Sequence, residues 1–209
     1  MKNMQFYDED IIHFGFALGV NKTDFAIQHA DNFYSFDSLY SVENIGLSGF
    51  NIGIVSDLRM GNYLNLRFVP TISFATRQIT YQFVSKTQSF SSTKEIESTF
   101  IYLPFAIKYK SQRHNNYRVY VHSGVNWGWD IASKKDAVED LNHPIRLKKN
   151  DFMYEFGAGF DIYFEYFKFS PEVKYSLGLR NMLEPSKNVY SNSLKGLNSR
   201  VLMLSFTFE

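Results

Sequence analysis

Residues 151–179 alternate between apolar and polar side chains over nearly their whole length. Even positions in 152–164 read Phe, Tyr, Phe, Ala, Phe, Ile and Phe, and odd positions in 167–179 continue the apolar set after a predicted turn at Glu165 and Tyr166. Successive side chains of a β-strand point to opposite faces, so period-two alternation is typical of strands. The pattern predicts a hairpin with one apolar, aromatic face and one face that carries charges and glycines.

An apolar face of this length fits a strand that crosses a bilayer, because about 9 to 11 tilted residues span the hydrocarbon core. No stretch of the sequence approaches the roughly 18 consecutive apolar residues of a membrane helix. Aromatic residues make up 18% of the chain, with 21 Phe and 14 Tyr, as aromatic girdles at two membrane interfaces require. The hairpin therefore predicts a transmembrane β-barrel.

The same alternation recurs in six further segments, which gives eight predicted strands. Four long polar segments, 28–44, 84–95, 132–149 and 180–198, alternate with short turns at 60–62, 111–116 and 165–166. Outer-membrane barrels have an even number of strands, long extracellular loops and short periplasmic turns. The predicted fold class is all-β, an eight-stranded antiparallel up-and-down transmembrane β-barrel. Residues 13–209 form this single domain, and residues 1–12 form an N-terminal periplasmic segment.

The net charge and the cysteine content limit the kinds of partner and site that this chain can have. The net charge of +1 argues against nucleic acid, because phosphate binding needs a concentrated basic surface. The sequence contains no cysteine, so disulfides and thiolate metal sites do not arise. We expect the chain in the bacterial outer membrane, with membrane lipids around it and with its signal peptide already removed, since none is found in the sequence.

Charged residues recur on the inward-facing parity of the predicted strands. With a two-residue turn at 165–166, Glu155 is diagonal to Lys174 and Asp161 is diagonal to Lys168, which predicts cross-strand ion pairs. The interior of an eight-stranded barrel is just wide enough for side chains to fill, and buried charges must be paired. The set therefore predicts a structural network in the lumen rather than an ion path; its members are Arg67, Arg118, Glu155, Asp161, Lys168, Glu172 and Lys174, with Asp57, Arg59, Arg77 and Asp130 on the same parity.

The five histidines show no metal-ligand spacing, and His122 alone is predicted inside the lumen, where a hydrogen-bonded filler is the expected role. No nucleophile motif occurs, and Gly157-Ala158-Gly159 does not precede a predicted helix, so it predicts barrel wall rather than a nucleotide loop. We therefore predict no catalytic residue, no metal site, no cofactor and no small-molecule substrate.

Prolines interrupt three predicted strands, at Pro70, Pro104 and Pro171. Each removes one ladder hydrogen bond, and a β-bulge at Pro70 and at Pro171 is the favoured interpretation. The alternative is a partner-binding face around Pro171 that includes Phe169 and Val173.

Several longer stretches resemble the PorT-like proteins, outer-membrane β-barrels of the type IX secretion system. They are HFGFALGVNKTDF (13–25), SGFNIGIVSDLRMGNYLNLRFVPTISFATRQITY (48–81), ESTFIYLPFAIKYKSQRHNNYRVYVHSGVNWGWDIASKK (97–135) and KKNDFMYEFGAGFDIYFEYFKFSPEVKYSLGL (148–179). The resemblance implies a non-enzymatic accessory of protein secretion that works beside other outer-membrane secretion proteins. It supplies no catalytic motif.

Two other functions stay open from the sequence. One is a barrel enzyme that modifies envelope lipids, which needs a nucleophile or base at the lipid interface. The other is a soluble lipocalin-like carrier, in which the apolar parity would face inward. The sequence leaves the partner's identity and the oligomeric state undetermined.

Overall fold

The computed structural model describes residues 2–30, 39–84, 89–132, 146–184 and 193–209. These residues form strands β1 to β11: Ile12–His29, Leu39–Arg59, Leu64–Phe68, Thr71–Val84, Ser89–Lys110, Tyr117–Asp130, Arg146–Leu147, Asn150–Tyr163, Lys168–Gly178, Leu183–Glu184 and Leu194–Phe208. Within them, no helix is long and apolar enough to span a bilayer.

Nine of these strands close into a ring. The strands pair antiparallel in the order β1, β11, β9, β8, β6 and β5. β3 and β4 both lie between β5 and β2, and β2 pairs with β1 to close the ring. β3 and β4 lie in line, since β2 and β5 each keep one register across the break between them. The ring therefore has eight members, and the predicted up-and-down barrel is confirmed. The two-residue strands β7 and β10 pair separately.

The predicted facing of the strands is also confirmed. Apolar residues of one parity are exposed on the outer wall, including Phe14, Val121 and Phe160, while the other parity is buried in the lumen. On β5, odd residues such as Ile107 face outward and Lys108 is buried. An apolar wall that faces out excludes the lipocalin-like carrier, whose apolar face would line the interior.

Several strands extend further than the sequence predicts. β2 begins at Leu39, β5 at Ser89 and β11 at Leu194, so much of the predicted polar loops 28–44 and 84–95 is strand. The outward positions of these extensions are largely polar, as at Glu43, Thr93 and Lys195, so they lack the apolar outer face from which the other strands were predicted. In these segments β2 and β5 each stay paired with β4, and this pairing holds the backbone extended without an apolar signal. The charged segment 133–145 lies outside the described residues.

The predicted bulges at prolines are wrong. Across Pro70, the pairs Ser56↔Phe68 and Gly53↔Thr71 keep the same register, and the β9–β11 pairing passes Pro171 without a shift. The described shifts lie elsewhere, between Gln28/His29, Leu39/Ser41 and Gly46/Phe50. A missing N–H leaves one carbonyl unpaired, but it does not require an extra residue in the strand.

The extracellular half of the lumen, towards the long loops, is filled by apolar and aromatic side chains. Two buried clusters occupy it: Phe25, Val42, Ile79, Tyr81, Leu183, Leu194 and Leu197, and Phe100, Tyr102, Met153, Met182, Val201 and Met203. The buried guanidinium of Arg77 lies between them, with its Cζ 4.5 Å from the ring centre of Phe25 and 5.0 Å from that of Phe100. Cation–π attraction stabilises the charge there.

Candidate functional site

Charged side chains fill the periplasmic half of the lumen, and Glu172 on β9 is the centre of one group. Its Oε2 lies 3.1 Å from Arg67 Nη1 and accepts a 2.8 Å hydrogen bond from the Tyr120 hydroxyl. Lys174 Nζ lies 3.4 Å from its other oxygen, and His122 Nε2 lies 3.5 Å from Oε2. One buried carboxylate thus compensates two cations and orients a phenol.

Asp161 on β8 is the centre of the second group. Lys108 Nζ donates to both of its carboxylate oxygens at 3.1 and 3.2 Å, and the Ser170 hydroxyl donates at 2.8 Å. The same ammonium lies 3.8 Å from Asp57 and 3.7 Å from the ring centre of Tyr120. Lys108 therefore joins the two groups into one layer.

The register of the predicted hairpin is correct, but its predicted ion pairs are wrong. Glu155 faces Ser176 as expected, yet its carboxylate accepts hydrogen bonds from Asn126 and Ser176, each at 3.1 Å. Neither Glu155 with Lys174 nor Asp161 with Lys168 forms an ion pair among the described residues. Inward side chains converge on the axis of a narrow barrel, so Arg67 and Lys108 reach carboxylates on strands that are not their neighbours. Lys174 instead pairs with Glu172 on its own strand.

Glycines in the wall make room for this layer. A Cβ on Gly157 would lie 2.5 Å from His122 Nε2, and one on Gly159 would lie 2.5 Å from the Tyr120 hydroxyl oxygen. These glycines belong to the barrel wall, as the sequence predicts. His122 is buried in the lumen, but neither ring nitrogen forms a hydrogen bond among the described residues, so the expected hydrogen-bonded filler is corrected to one held by packing, with Nε2 3.5 Å from the Glu172 carboxylate.

The layer leaves little free space. The cavity among its side chains measures about 10 Å³, at the lower limit for one water molecule. In the described part of the chain, no three His, Asp, Glu or Cys side chains cluster as metal ligands.

An N-terminal strap, defined as residues 2–11, closes the periplasmic mouth below this layer. The Tyr7 ring stacks on His13 with 4.0 Å between centroids, and its hydroxyl donates to Glu209 at 2.9 Å. Glu209 also pairs with Lys168 Nζ at 2.7 Å. Arg113 donates to the carbonyl oxygens of Asn3 and Met4. The strap thus contacts both the turn that carries Arg113 and the residue that follows β11.

Arg118 belongs to this mouth rather than to the lumen network in which we placed it. Its two terminal nitrogens donate to the two carboxylate oxygens of Asp8, each at 2.9 Å. Partial burial would raise the pKa of Asp8, but the hydrogen bonds and charge of Arg118 outweigh it and hold that pKa below its usual value. Arg59, also predicted inward, instead sits at the rim, where it donates to Glu9 O and Asn62.

A basic cleft of about 330 Å³ opens beside the strap. Its walls carry five cationic side chains and one carboxylate; the lining residues are Lys2, Asp8, Arg59, Asn62, Tyr63, Lys110, Ser111, Gln112, Arg113 and Arg118.

The Asp8→Asn substitution is expected to lower the free energy of unfolding at pH 7 by about 1 kcal/mol, a value discounted for the 31% exposure of Asp8. Its pKa is lower when folded, so the stabilisation is complete above about pH 3.9, the unfolded value, and is lost as pH falls through the folded pKa. Denaturant midpoints of both proteins at pH 7 and pH 3 check this. An equally large difference at the two pH values contradicts the assignment.

Sequence reasoning missed Glu209, Tyr7 and Asp8 as parts of the site. Parity could have found Glu209, because residues 201, 203, 205 and 207 face inward and 209 continues the series. The strap has no periodicity, so no local signal places it across the mouth.

The predicted partner face lies on β9 near the periplasmic end. Val173 is 50% exposed, and Phe169 contacts Phe206 and Phe208 of β11 at centroid distances of 6.0 and 5.1 Å. Pairing of β8 with β9 lacks bridges between Gly159↔Glu172 and Ile162↔Phe169, the interval opposite Pro171. This stretch of the wall therefore lacks two bridges between β8 and β9.

Residues 6–184 match the family model described as "Outer membrane protein beta-barrel domain". Among solved structures, OprG from Pseudomonas aeruginosa aligns over 95% of this chain and 91% of its own, with 13% identity and a TM-score of 0.49. Neisserial surface protein A aligns over 95% and 98%, with 8% identity and a TM-score of 0.46. The attachment invasion locus protein Ail of Yersinia pestis aligns over 95% and 98%, with 12% identity and a TM-score of 0.39. A search of curated proteins finds no match.

Proposed function

This chain belongs to the outer-membrane β-barrel domain family, and from that membership we propose that it is a non-enzymatic accessory of protein secretion. It is a barrel of the bacterial outer membrane. Within that setting, the PorT-like stretches of its sequence support a role in the type IX secretion system. In this role it binds other outer-membrane translocon proteins rather than conducting cargo itself.

The observation that carries the proposal is the filled lumen. The charged layer around Glu172 and Asp161 leaves a cavity of about 10 Å³, and the strap covers the mouth below it. A barrel filled in this way offers its outer wall, its rim and its extracellular segments as the surfaces on which it acts. Binding, not passage, is the function such a barrel supports.

The lipid-facing wall at Phe169, Pro171 and Val173 is the proposed partner face. Pro171 has no N–H to pair with β8, and the β8–β9 bridges are interrupted opposite it. An aromatic and aliphatic surface beside a wall segment with fewer hydrogen bonds suits packing against another membrane protein.

A photo-crosslinking amino acid at Val173 is expected to capture a translocon protein in cells, whereas the same amino acid at Val121 is not. The two valines are matched, since they are 50% and 53% exposed on the outer wall, but Val121 lies on β6. The crosslinked products are identified by mass spectrometry after detergent extraction. Equal capture of the same protein at both positions contradicts the proposed face.

A deletion strain tests the wider role. Loss of the chain is expected to abolish secretion of type IX cargo, and the chain supplied in trans is expected to restore it. Normal secretion in the deletion strain, together with no co-purifying membrane protein, contradicts the export function.

A further inference from the structure

The basic cleft at the periplasmic mouth holds a cation that lacks a close anion. Lys110 is only 4% exposed, yet its ammonium forms no hydrogen bond or ion pair with any described residue, and it lines the cleft. Asp8 and Asp57 attract this ammonium from longer range, and a buried ammonium without a close anion is costly. Lys2 and Arg59 line the same cleft, and the Arg59 guanidinium donates to the neutral oxygens of Glu9 O and Asn62. Positive charge is thus concentrated in this cleft.

The cleft already binds a peptide, which is the chain's own strap. Arg118 holds the Asp8 carboxylate with two parallel hydrogen bonds, and Arg113 donates to two backbone carbonyls of the strap. Bidentate pairing of a guanidinium with a carboxylate is specific as well as strong. Asp8 is the one carboxylate in the lining, and its close ion pairs are with Arg118 at 2.9 Å and Arg113 at 3.7 Å.

We propose that this cleft binds an acidic segment of a periplasmic protein, whose carboxylates pair with Lys110, Arg59 and Lys2 beside the strap. The inference rests on the proposed function for the kind of partner, and it adds the chemistry by which that partner is recognised. The bound segment adds a second carboxylate beside that of Asp8 and supplies Lys110 with a close anion.

The direction of the cleft favours a peptide over a phospholipid headgroup. Lys110 and Arg118 are on the inward-facing parity of β5 and β6, as their burial shows, and Lys2 and Asp8 of the strap also line the cleft. The cleft is thus reached through the periplasmic mouth, while phospholipids contact the outer wall. A flexible acidic segment can enter the mouth from solution.

The test measures binding of a rhodamine-labelled peptide, GEDEG, to the full chain in detergent micelles by fluorescence anisotropy. We expect saturable binding, at least tenfold weaker binding of the neutral peptide GQNQG, and weakening as salt concentration rises. Lys110→Gln is expected to weaken GEDEG binding at least tenfold and Lys110→Arg to restore it. Lys149→Gln, at the extracellular end of the barrel, serves as the matched control and leaves binding unchanged.

Several outcomes overturn the proposal. Equal affinity of the wild-type protein for GEDEG and GQNQG overturns it, and this comparison needs no variant to fold. Binding to nanodiscs that contain phosphatidylglycerol but not to GEDEG makes the cleft a headgroup site, and competition by inorganic phosphate without peptide binding makes it a simple anion site. If the peptide binds but the deletion strain secretes normally, the cleft proposal stands and the export function is wrong. Failure of the cleft proposal and failure of the export function are therefore distinguishable.

Discussion

Replacement of Glu172 by glutamine is expected to lower the free energy of unfolding by about 3–5 kcal/mol, the usual cost of breaking a buried ion pair on one side. Glutamine has nearly the same shape, so the loss comes from charge. Arg67, 3.1 Å away, and Lys174, 3.4 Å away, would remain buried without their carboxylate. Urea unfolding in lipid vesicles, followed by the fluorescence of Trp127 and Trp129, measures the change.

Two companion variants separate charge from general disruption. Glu165→Gln changes the same chemical group in the exposed turn between β8 and β9, and we expect an effect within about 0.5 kcal/mol. Arg67→Met combined with Glu172→Met removes both charges, and it is expected to recover part of the loss because apolar replacements of buried pairs are often tolerated. A cost below 1 kcal/mol for Glu172→Gln contradicts the network.

Replacement of Val121 by arginine is expected to cost about 2–4 kcal/mol, the range for a cation on the lipid face near the bilayer midplane. Val121 lies between Tyr117 and Trp127, which are exposed on the same face of β6. These two aromatic residues are ten positions apart, about the length of one bilayer crossing, so Val121 is close to the middle. The same unfolding experiment measures the loss.

Tyr117→Arg is the matched control, because it lies on the same strand and face at the membrane interface. There the cost of a cation falls to about 0–1 kcal/mol. The contrast depends on depth alone. Equal effects at the two positions are inconsistent with the proposed placement of the bilayer.

The alternation of apolar and polar residues was sufficient to predict the barrel, because a strand with one face towards lipid has an apolar side chain at every second residue. It also predicted that Glu155, Asp161 and Glu172 point inward. The partner of each charge was not predictable, since Lys108 reaches Asp161 across the lumen and no local pattern encodes that distance. The strap could not be predicted in the same way because it has no periodicity. The strand extensions could not be predicted because they have no apolar outer face.

The contacts of the strap also bear on the order in which the barrel assembles. Its partners come from distant parts of the chain: Tyr7 bonds to Glu209, Asn3 to the Tyr163 carbonyl, and Asp8 to Arg118. Glu209 follows the last strand, and it reaches the mouth only when β11 has paired with β1. The complete set of strap contacts therefore requires a closed ring, and we expect the strap to dock last, after β11 has paired with β1.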